Sequence, residues 1–241
     1  MSAAASADGS AGYGKVSIIN PLIQSTAPGK LKYKWNYLWK DTGDSVRGKI
    51  MMDEVATFSV TEMGLADQMS RVLLELPGIT RSSKVVDANA CVGGNTVSFA
   101  KFFDRVVGIE MSEERARMLD NNVRLCGEDI RRSGRPYANV QVVTGNCLDV
   151  VPSIIDADVV FYDPPWGGVK YGEKKLIPLS LSNVPISNIV LYASTNCAYV
   201  ALKMPLNADL RNIVNVPKVL TVVRKMEMLK MQFIVVKKAR C

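Results

Sequence analysis

Histidine is missing from all 241 residues. Without an imidazole the chain cannot run a Ser-His-Asp or Cys-His relay, and most catalytic zinc sites are excluded with it. Cysteine is sparse: Cys91, Cys126, Cys147, Cys197 and Cys241 are five in number and form no C-x-x-C pair. Such a pattern speaks for reduced intracellular thiols and against a disulfide framework or a structural zinc site. No apolar run approaches the roughly 20 residues that span a bilayer, and the N-terminus has no signal-peptide pattern. The expectation is an intracellular protein that uses neither membrane nor metal. Acidic residues are also in deficit, 23 against 30 basic ones, for a net charge of +7. An excess of that size suits an anionic partner such as nucleic acid, and equally a merely basic surface.

Hydrophobic residues make up 48% of the chain, enough for a real core in one domain with extensions. Residues 1–29 are Ala-, Ser- and Gly-rich at the start and read as a flexible arm. From residue 30 to about 60 the character changes. Lys32, Tyr33, Lys34, Trp35, Tyr37, Trp39 and Lys40 interleave bases with aromatics. Such a segment can grip phosphates and stack bases, or it can be a helix that packs its aromatics on a core. Ser59 and Glu62 have capping-box spacing ahead of a helix carrying Leu65, Met69, Val72, Leu73 and Leu76, which Pro77-Gly78 stops.

The remaining stretch, 61–241, has the rhythm of a doubly wound α/β sheet. Lys84-Val85-Val86-Asp87 is a short strand, Ala88 to Thr96 a glycine-bearing turn, and Val97 to Phe103 a helix. Val106 to Ile109 forms the next strand and ends on Glu110, placed to accept hydrogen bonds from both hydroxyls of a ribose. Ser112 caps a helix whose buried stripe is Ala116, Leu119, Val123 and Cys126. A strand at Val140 to Val143 leads to Gly145-Asn146, and another runs from Cys197 to Lys203. Val219 to Val223 and Phe233 to Val236 fit a closing hairpin. The turn after Asp87 is not G-x-G-x-x-G. It suits S-adenosylmethionine, which has no phosphate and needs only close backbone approach, better than a dinucleotide.

The most specific stretch is Val159-Val160-Phe161-Tyr162-Asp163-Pro164-Pro165-Trp166-Gly167-Gly168. Four apolar residues read as a buried parallel strand, and the prolines force it to stop at its carboxyl end, where open α/β sheets bind ligands. An exocyclic base amine is a poor nucleophile because its lone pair is delocalised into the ring. The Asp163 carboxylate and Pro164 carbonyl can accept its two hydrogens and orient that lone pair, while Trp166 stacks on the ring. No strong general base is needed, in keeping with the missing histidines.

Asp163-Pro164-Pro165-Trp166-Gly167-Gly168 resembles the catalytic motif of the trimethylguanosine synthases, the RNA cap guanine-N2 methyltransferases. The similarity extends through Phe58 to Glu62, Asp87 to Thr96, Ala157 to Phe161 and Leu202 to Asn207. It implies a Rossmann-like class I methyltransferase with a doubly wound seven-stranded sheet and a small N-terminal helical extension. It implies S-adenosylmethionine as cofactor, held by Thr61, Asp87, Ala88, Asn89, Gly93, Asn95, Thr96, Glu110 and Asn146, with Trp39 reaching in from the extension. It further implies that Trp166, with Pro165, Lys170 and Asn207, binds a 7-methylguanosine-capped RNA, the cationic base adding cation–π attraction. A monomer acting in the nucleus or nucleolus, or else in the cytoplasm, goes with that. Two departures stand out: Asp163 replaces the family's usual Ser, and Asn146 replaces an Asp. The first keeps open a DNA or ribosomal RNA amine methyltransferase. An inactive cap-binding module is the reading outside enzymes.

Overall fold

The computed structural model describes residues 29–167, 171–214, 220–228 and 230–238. The expected arm up to residue 28, Gly168 and Lys170 of the motif loop, Val219 and Cys241 lie outside the described residues.

The extension is three short helices, α1 (Gly29–Leu38), α2 (Asp44–Arg47) and α3 (Ala56–Ser59). The packing reading holds for its two tryptophans. Trp35 and Trp39 are fully buried in the same hydrophobic cluster as Met69, Val92 and Val97, whereas Tyr33 and Tyr37 are exposed. Burying each large apolar side chain contributes roughly 1.5–3 kcal/mol, which anchors the extension to the rest of the chain. Asn122 fixes it further, accepting from Met51 N–H at 2.8 Å and donating to the carbonyls of Met51 at 2.7 Å and Val92 at 2.9 Å.

The next helix, α4 (Met63–Leu74), does not begin as its capping-box spacing predicts. Glu62 is the cap, its carboxylate accepting from Gly64 N–H at 2.9 Å and Leu65 N–H at 3.1 Å. Ser59 belongs to the end of α3, where its hydroxyl donates to the Val55 carbonyl.

Alternation then produces the sheet: β1 (Lys84–Asp87), α5 (Gly94–Phe102), β2 (Arg105–Glu110), α6 (Glu113–Arg132), β3 (Val140–Thr144), α7 (Cys147–Val150) and β4 (Val159–Tyr162). A two-stranded ribbon, β5 (Ser180–Leu181) and β6 (Val184–Pro185), precedes α8 (Ile186–Ala193). The chain continues through β7 (Tyr199–Pro205), α9 (Arg211–Val214), β8 (Leu220–Met228) and β9 (Met231–Lys238). The expected strand at Cys197 thus starts two residues later; the Cys197 thiol lies against the carbonyls of Ala193 and Tyr199. The seven-stranded sheet has the order β3-β2-β1-β4-β7-β9-β8, with the first five strands parallel and β9 antiparallel to both neighbours.

Strand order reverses between β1 and β4, and that crevice is where such sheets bind ligands. Alternate residues face opposite layers. Val85, Phe161 and Ala201 enter one cluster, Val86, Val160 and Leu202 the other. Asp87, Asp163 and Lys203 share the parity of the first set. Since Asp87 pairs with Phe161 and Tyr162 with Leu202, all three gather at the carboxyl edge of adjacent strands.

Candidate active site

β1 delivers Asp87 to that edge fully buried. Its Oδ2 accepts from the Thr96 hydroxyl at 2.7 Å, and its Oδ1 has no partner among the described residues. Burial pushes its carboxyl up to about 7, helped by the neighbouring Asp163 charge and opposed by the Thr96 hydroxyl. The turn that follows holds Cys91 in a left-handed conformation (φ 50°), and Cys91 N–H donates to Glu110 Oε2 at 3.0 Å. Ser112 N–H takes Glu110 Oε1 at 3.0 Å, so the strand-end carboxylate is aimed by backbone on both sides. Burial still raises Glu110 above the usual carboxylate range, against these two N–H groups and Arg115.

The glycines of the turn are used differently from the sequence expectation of backbone approach to a ligand. Gly93 adopts φ 106° as the residue before α5, and a Cβ there would sit 3.0 Å from Leu119 Cδ1. A Cβ on Gly94 would lie 2.8 Å from the Thr61 carbonyl oxygen and 2.9 Å from Val60 Cγ1. The space beside Gly94, at the start of α5, is taken by the chain itself rather than left for a phosphate. Thr61 is thereby buried, and its hydroxyl accepts from Asn95 Nδ2 at 3.0 Å.

Around this turn three buried acceptors have no partner among the described residues: Asp87 Oδ1, Asn89 Oδ1 and Asn95 Oδ1. Orphaned buried oxygens call for a donor-rich partner. S-adenosylmethionine brings an ammonium, ribose hydroxyls and a sulfonium cation and needs no phosphate cradle, so the residues present fit it. Ala88, also buried, donates its N–H to the Phe161 carbonyl at 2.9 Å. Asn146 caps α7, its Oδ1 accepting from Leu148 N–H at 3.0 Å. Trp39 presents no surface to a ligand in this structure: it is 0% exposed and its indole N–H faces Met52 Sδ at 3.4 Å.

Asp163 and Trp166 leave β4 together. Asp163 Oδ2 accepts from Lys203 Nζ of β7 at 2.5 Å, and that ammonium lies 5.2 Å from the centre of the Trp166 ring. The Trp166 indole N–H lies close enough to Asp163 to favour its charged form, yet makes no hydrogen bond of good geometry. Burial raises the Asp163 carboxyl even against these two neighbours. Tyr171 meets Trp166 edge-on at 5.1 Å and 82°. Asn207 holds the intervening loop by donating to the carbonyls of Tyr171 at 3.0 Å and Lys174 at 2.6 Å. Pro164 is buried and Pro165 exposed.

Sequence reasoning missed Lys203 and Tyr171. A lysine inside the apolar run Val200-Ala201-Leu202-Lys203-Met204 was the available signal. Two surface depressions, one lined by Asp67, Lys101 and Arg135 and the other by Gln141, Ile155 and Asp156, include none of Asp87, Glu110 and Asp163.

Known proteins resemble this chain in sequence and in fold. The family described as RNA cap guanine-N2 methyltransferase matches residues 82–240. The trimethylguanosine synthase of Schizosaccharomyces pombe is 27% identical over 197 residues, covering 80% of this chain and 77% of that protein. That of Saccharomyces cerevisiae is 28% identical over 201 residues, 79% of this chain and 60% of the relative. An uncharacterised protein of Acanthamoeba polyphaga mimivirus is 32% identical over 158 residues, 64% of this chain and 58% of its own length. The chain thus spans less than two thirds of the latter two. A crystal structure from Porphyromonas gingivalis W83, provisionally named a methyltransferase, shares the fold with a TM-score of 0.62 at 14% identity, covering 92% of this chain and 54% of its own. No helix among the described residues is long and apolar enough to cross a membrane. With the Asp87 cradle, Glu110 and the Asp163-to-Trp166 motif at one sheet edge, the chain belongs to the RNA cap guanine-N2 methyltransferase family, whose methyl donor is S-adenosylmethionine.

Proposed function

We propose that the chain methylates the exocyclic N2 of 7-methylguanosine at the cap of an RNA, giving the 2,7-dimethyl and, with a second round, the 2,2,7-trimethyl base. The observation that carries the reading is the joint placement of Asp163 and Trp166 at the end of β4, beside the Asp87 cradle. S-adenosylmethionine, when bound, supplies an electrophilic methyl group. The unpaired oxygens of Asp87, Asn89 and Asn95 and the carboxylate of Glu110 would hold it.

With Oδ2 taken by Lys203, Asp163 offers Oδ1 to one hydrogen of the amine, and the Pro164 carbonyl takes the other. Both acceptors orient the nitrogen lone pair and favour the positive charge that would develop on nitrogen as an N–C bond forms and the donor's S–C bond breaks, the bonding pair leaving on sulfur as a neutral thioether and the surplus amine proton leaving to solvent. Trp166 offers the base a ring face, Tyr171 steadying its edge. Pro165, exposed beside the ring, belongs to the substrate surface, and the positive charge of Lys170 suits the cap phosphates. Asn207 acts on substrate through the loop it holds. Thr61 and Asn95 close the cofactor side, and Asn146 meets the adenine end. The extension over 30–60 serves as a wall rather than an independent module. A nuclear place of action and a monomeric state accompany this reading.

Asp163 in place of Ser favours a second reading, an amine of ribosomal RNA or DNA as acceptor. Methyl transfer from labelled S-adenosylmethionine to 7-methylguanosine diphosphate, run beside guanosine diphosphate and resolved by mass, decides. Transfer to the 7-methylated compound alone supports the cap reading, and product mass counts the methyls. Equal transfer to both, or to neither, sinks it.

A further inference from the structure

We infer that Lys203 is a positioning residue for the amine site: by bonding Oδ2 of Asp163 it fixes which carboxylate oxygen meets the amine and keeps that carboxylate charged. The inference rests on the proposed role of Asp163 and adds the residue that sets its geometry.

Lys203 is 4% exposed and lies within an apolar strand. A buried ammonium is costly unless paired, and the pair as a whole seldom adds net stability over apolar residues of the same size. Stability therefore gives little reason for the pair. Its geometry gives one. β4 and β7 are parallel neighbours, and the two side chains stand one step beyond the Tyr162–Leu202 pair, on the same face. The lysine reaches across from the neighbouring strand and takes Oδ2, which leaves Oδ1 as the oxygen free to meet the amine. Its ammonium also stands over the Trp166 ring at 5.2 Å, tying the amine holder and the base platform to one anchor.

The charged and titratable groups facing Asp163 come from every side: Lys203 from β7, Asp87 from β1, and the Trp166 indole N–H from the following loop. Asp87 repels the Asp163 charge, while Lys203 attracts both carboxylates. Removing Lys203 would leave both carboxylates with no nearby cation among the described residues. One would then protonate, and a protonated Asp163 is a poorer acceptor for an amine hydrogen.

The test uses Lys203→Met, Lys203→Arg and the double variant Lys203→Met with Asp163→Asn. In thermal unfolding of the ligand-free proteins from pH 5 to 8.5, Lys203→Met should lose stability relative to wild type at pH 8 and recover it as pH falls and Asp163 protonates. The double variant should keep only the part of that pH dependence that Asp87 supplies, because Asp163 no longer carries a charge to strand. In methyl transfer, Lys203→Met should drop kcat about a hundredfold, leave the cofactor KM within a few-fold, and move the acidic limb of the kcat profile upward. Lys203→Arg should restore a substantial part of kcat.

A stability difference flat with pH, or a Lys203→Met kcat within threefold of wild type, overturns the inference. If Lys203→Met does not fold, the double variant decides: folding supports a stranded Asp163 charge, and failure to fold refutes it. A wild type inactive on guanine nucleotides sinks the cap reading, while the pH-dependent stability still decides whether Lys203 holds the Asp163 charge.

Discussion

Asp87→Asn should make the ligand-free protein more stable at pH 8 while disabling its cofactor site. Asp87 is fully buried, and its folded carboxyl titrates near 7 rather than at 3.8. Between those values the native state holds a proton that the unfolded chain has released, so wild-type stability falls as pH rises from about 4 to 7. At roughly 1.4 kcal/mol per pKa unit, the full effect above pH 7 is on the order of 4 kcal/mol. Asparagine removes the charge and can keep the Thr96 hydroxyl as a partner, but its buried amide lacks a second one, costing about 1–2 kcal/mol. A net gain of about 2–3 kcal/mol remains at pH 8, or about 5–10 °C in the unfolding midpoint of a chain this size.

Near pH 4 the wild-type penalty is gone and the amide cost persists, so the sign reverses and the two curves cross in between. Calorimetry of both proteins from pH 4 to 8.5 measures this, and subtraction cancels the titrating groups that do not interact with Asp87. Saturating S-adenosylmethionine should raise the wild-type midpoint and leave the variant's nearly unmoved. A stability difference that does not vary with pH would refute the reasoning.

Trp166→Ala should cost at least a hundredfold in methyl transfer with little change in unfolding midpoint, since the ring sits on a loop; an active variant would defeat the stacking role. Gly94→Ala places a methyl 2.8 Å from the Thr61 carbonyl oxygen. It should destabilise by about 1–3 kcal/mol and weaken cofactor binding, read by calorimetric titration. Asn207→Ala releases the carbonyls of Tyr171 and Lys174. Turnover should fall about tenfold at an unchanged midpoint, with faster proteolysis between residues 171 and 174. Turnover equal to wild type would mean that the loop needs no tether.

The strands β1, β2 and β4 were legible because buried parallel strands read as continuous apolar runs, and Asp163-Pro164-Pro165-Trp166 because proline must end a ladder. The pairing of Asp163 with Lys203 was not legible. Forty positions separate them in sequence, and only strand order and side-chain parity bring them together. The start of α4 misled because Ser59 and Glu62 have box spacing in either arrangement; only the end of α3 at Ser59 leaves Glu62 free to cap alone. Trp35, Trp39, Tyr33 and Tyr37 read alike in sequence, and burial by Met52, Met69 and their neighbours is what separates inward from outward rings.

The sheet is assembled out of sequence order. β9 is made after β8 yet lies inside it, as the partner of β7. During synthesis β7 therefore emerges with one edge bare, and Val200, Leu202 and Met204 along it are fully buried in the finished protein. Until residues 231–238 arrive, that edge is open to any other strand, and a chain halted before them would carry a template for aggregation. Lys203 stands on the same strand. The strand that carries this anchor of the amine site is thus one whose second neighbour is made last among the described strands.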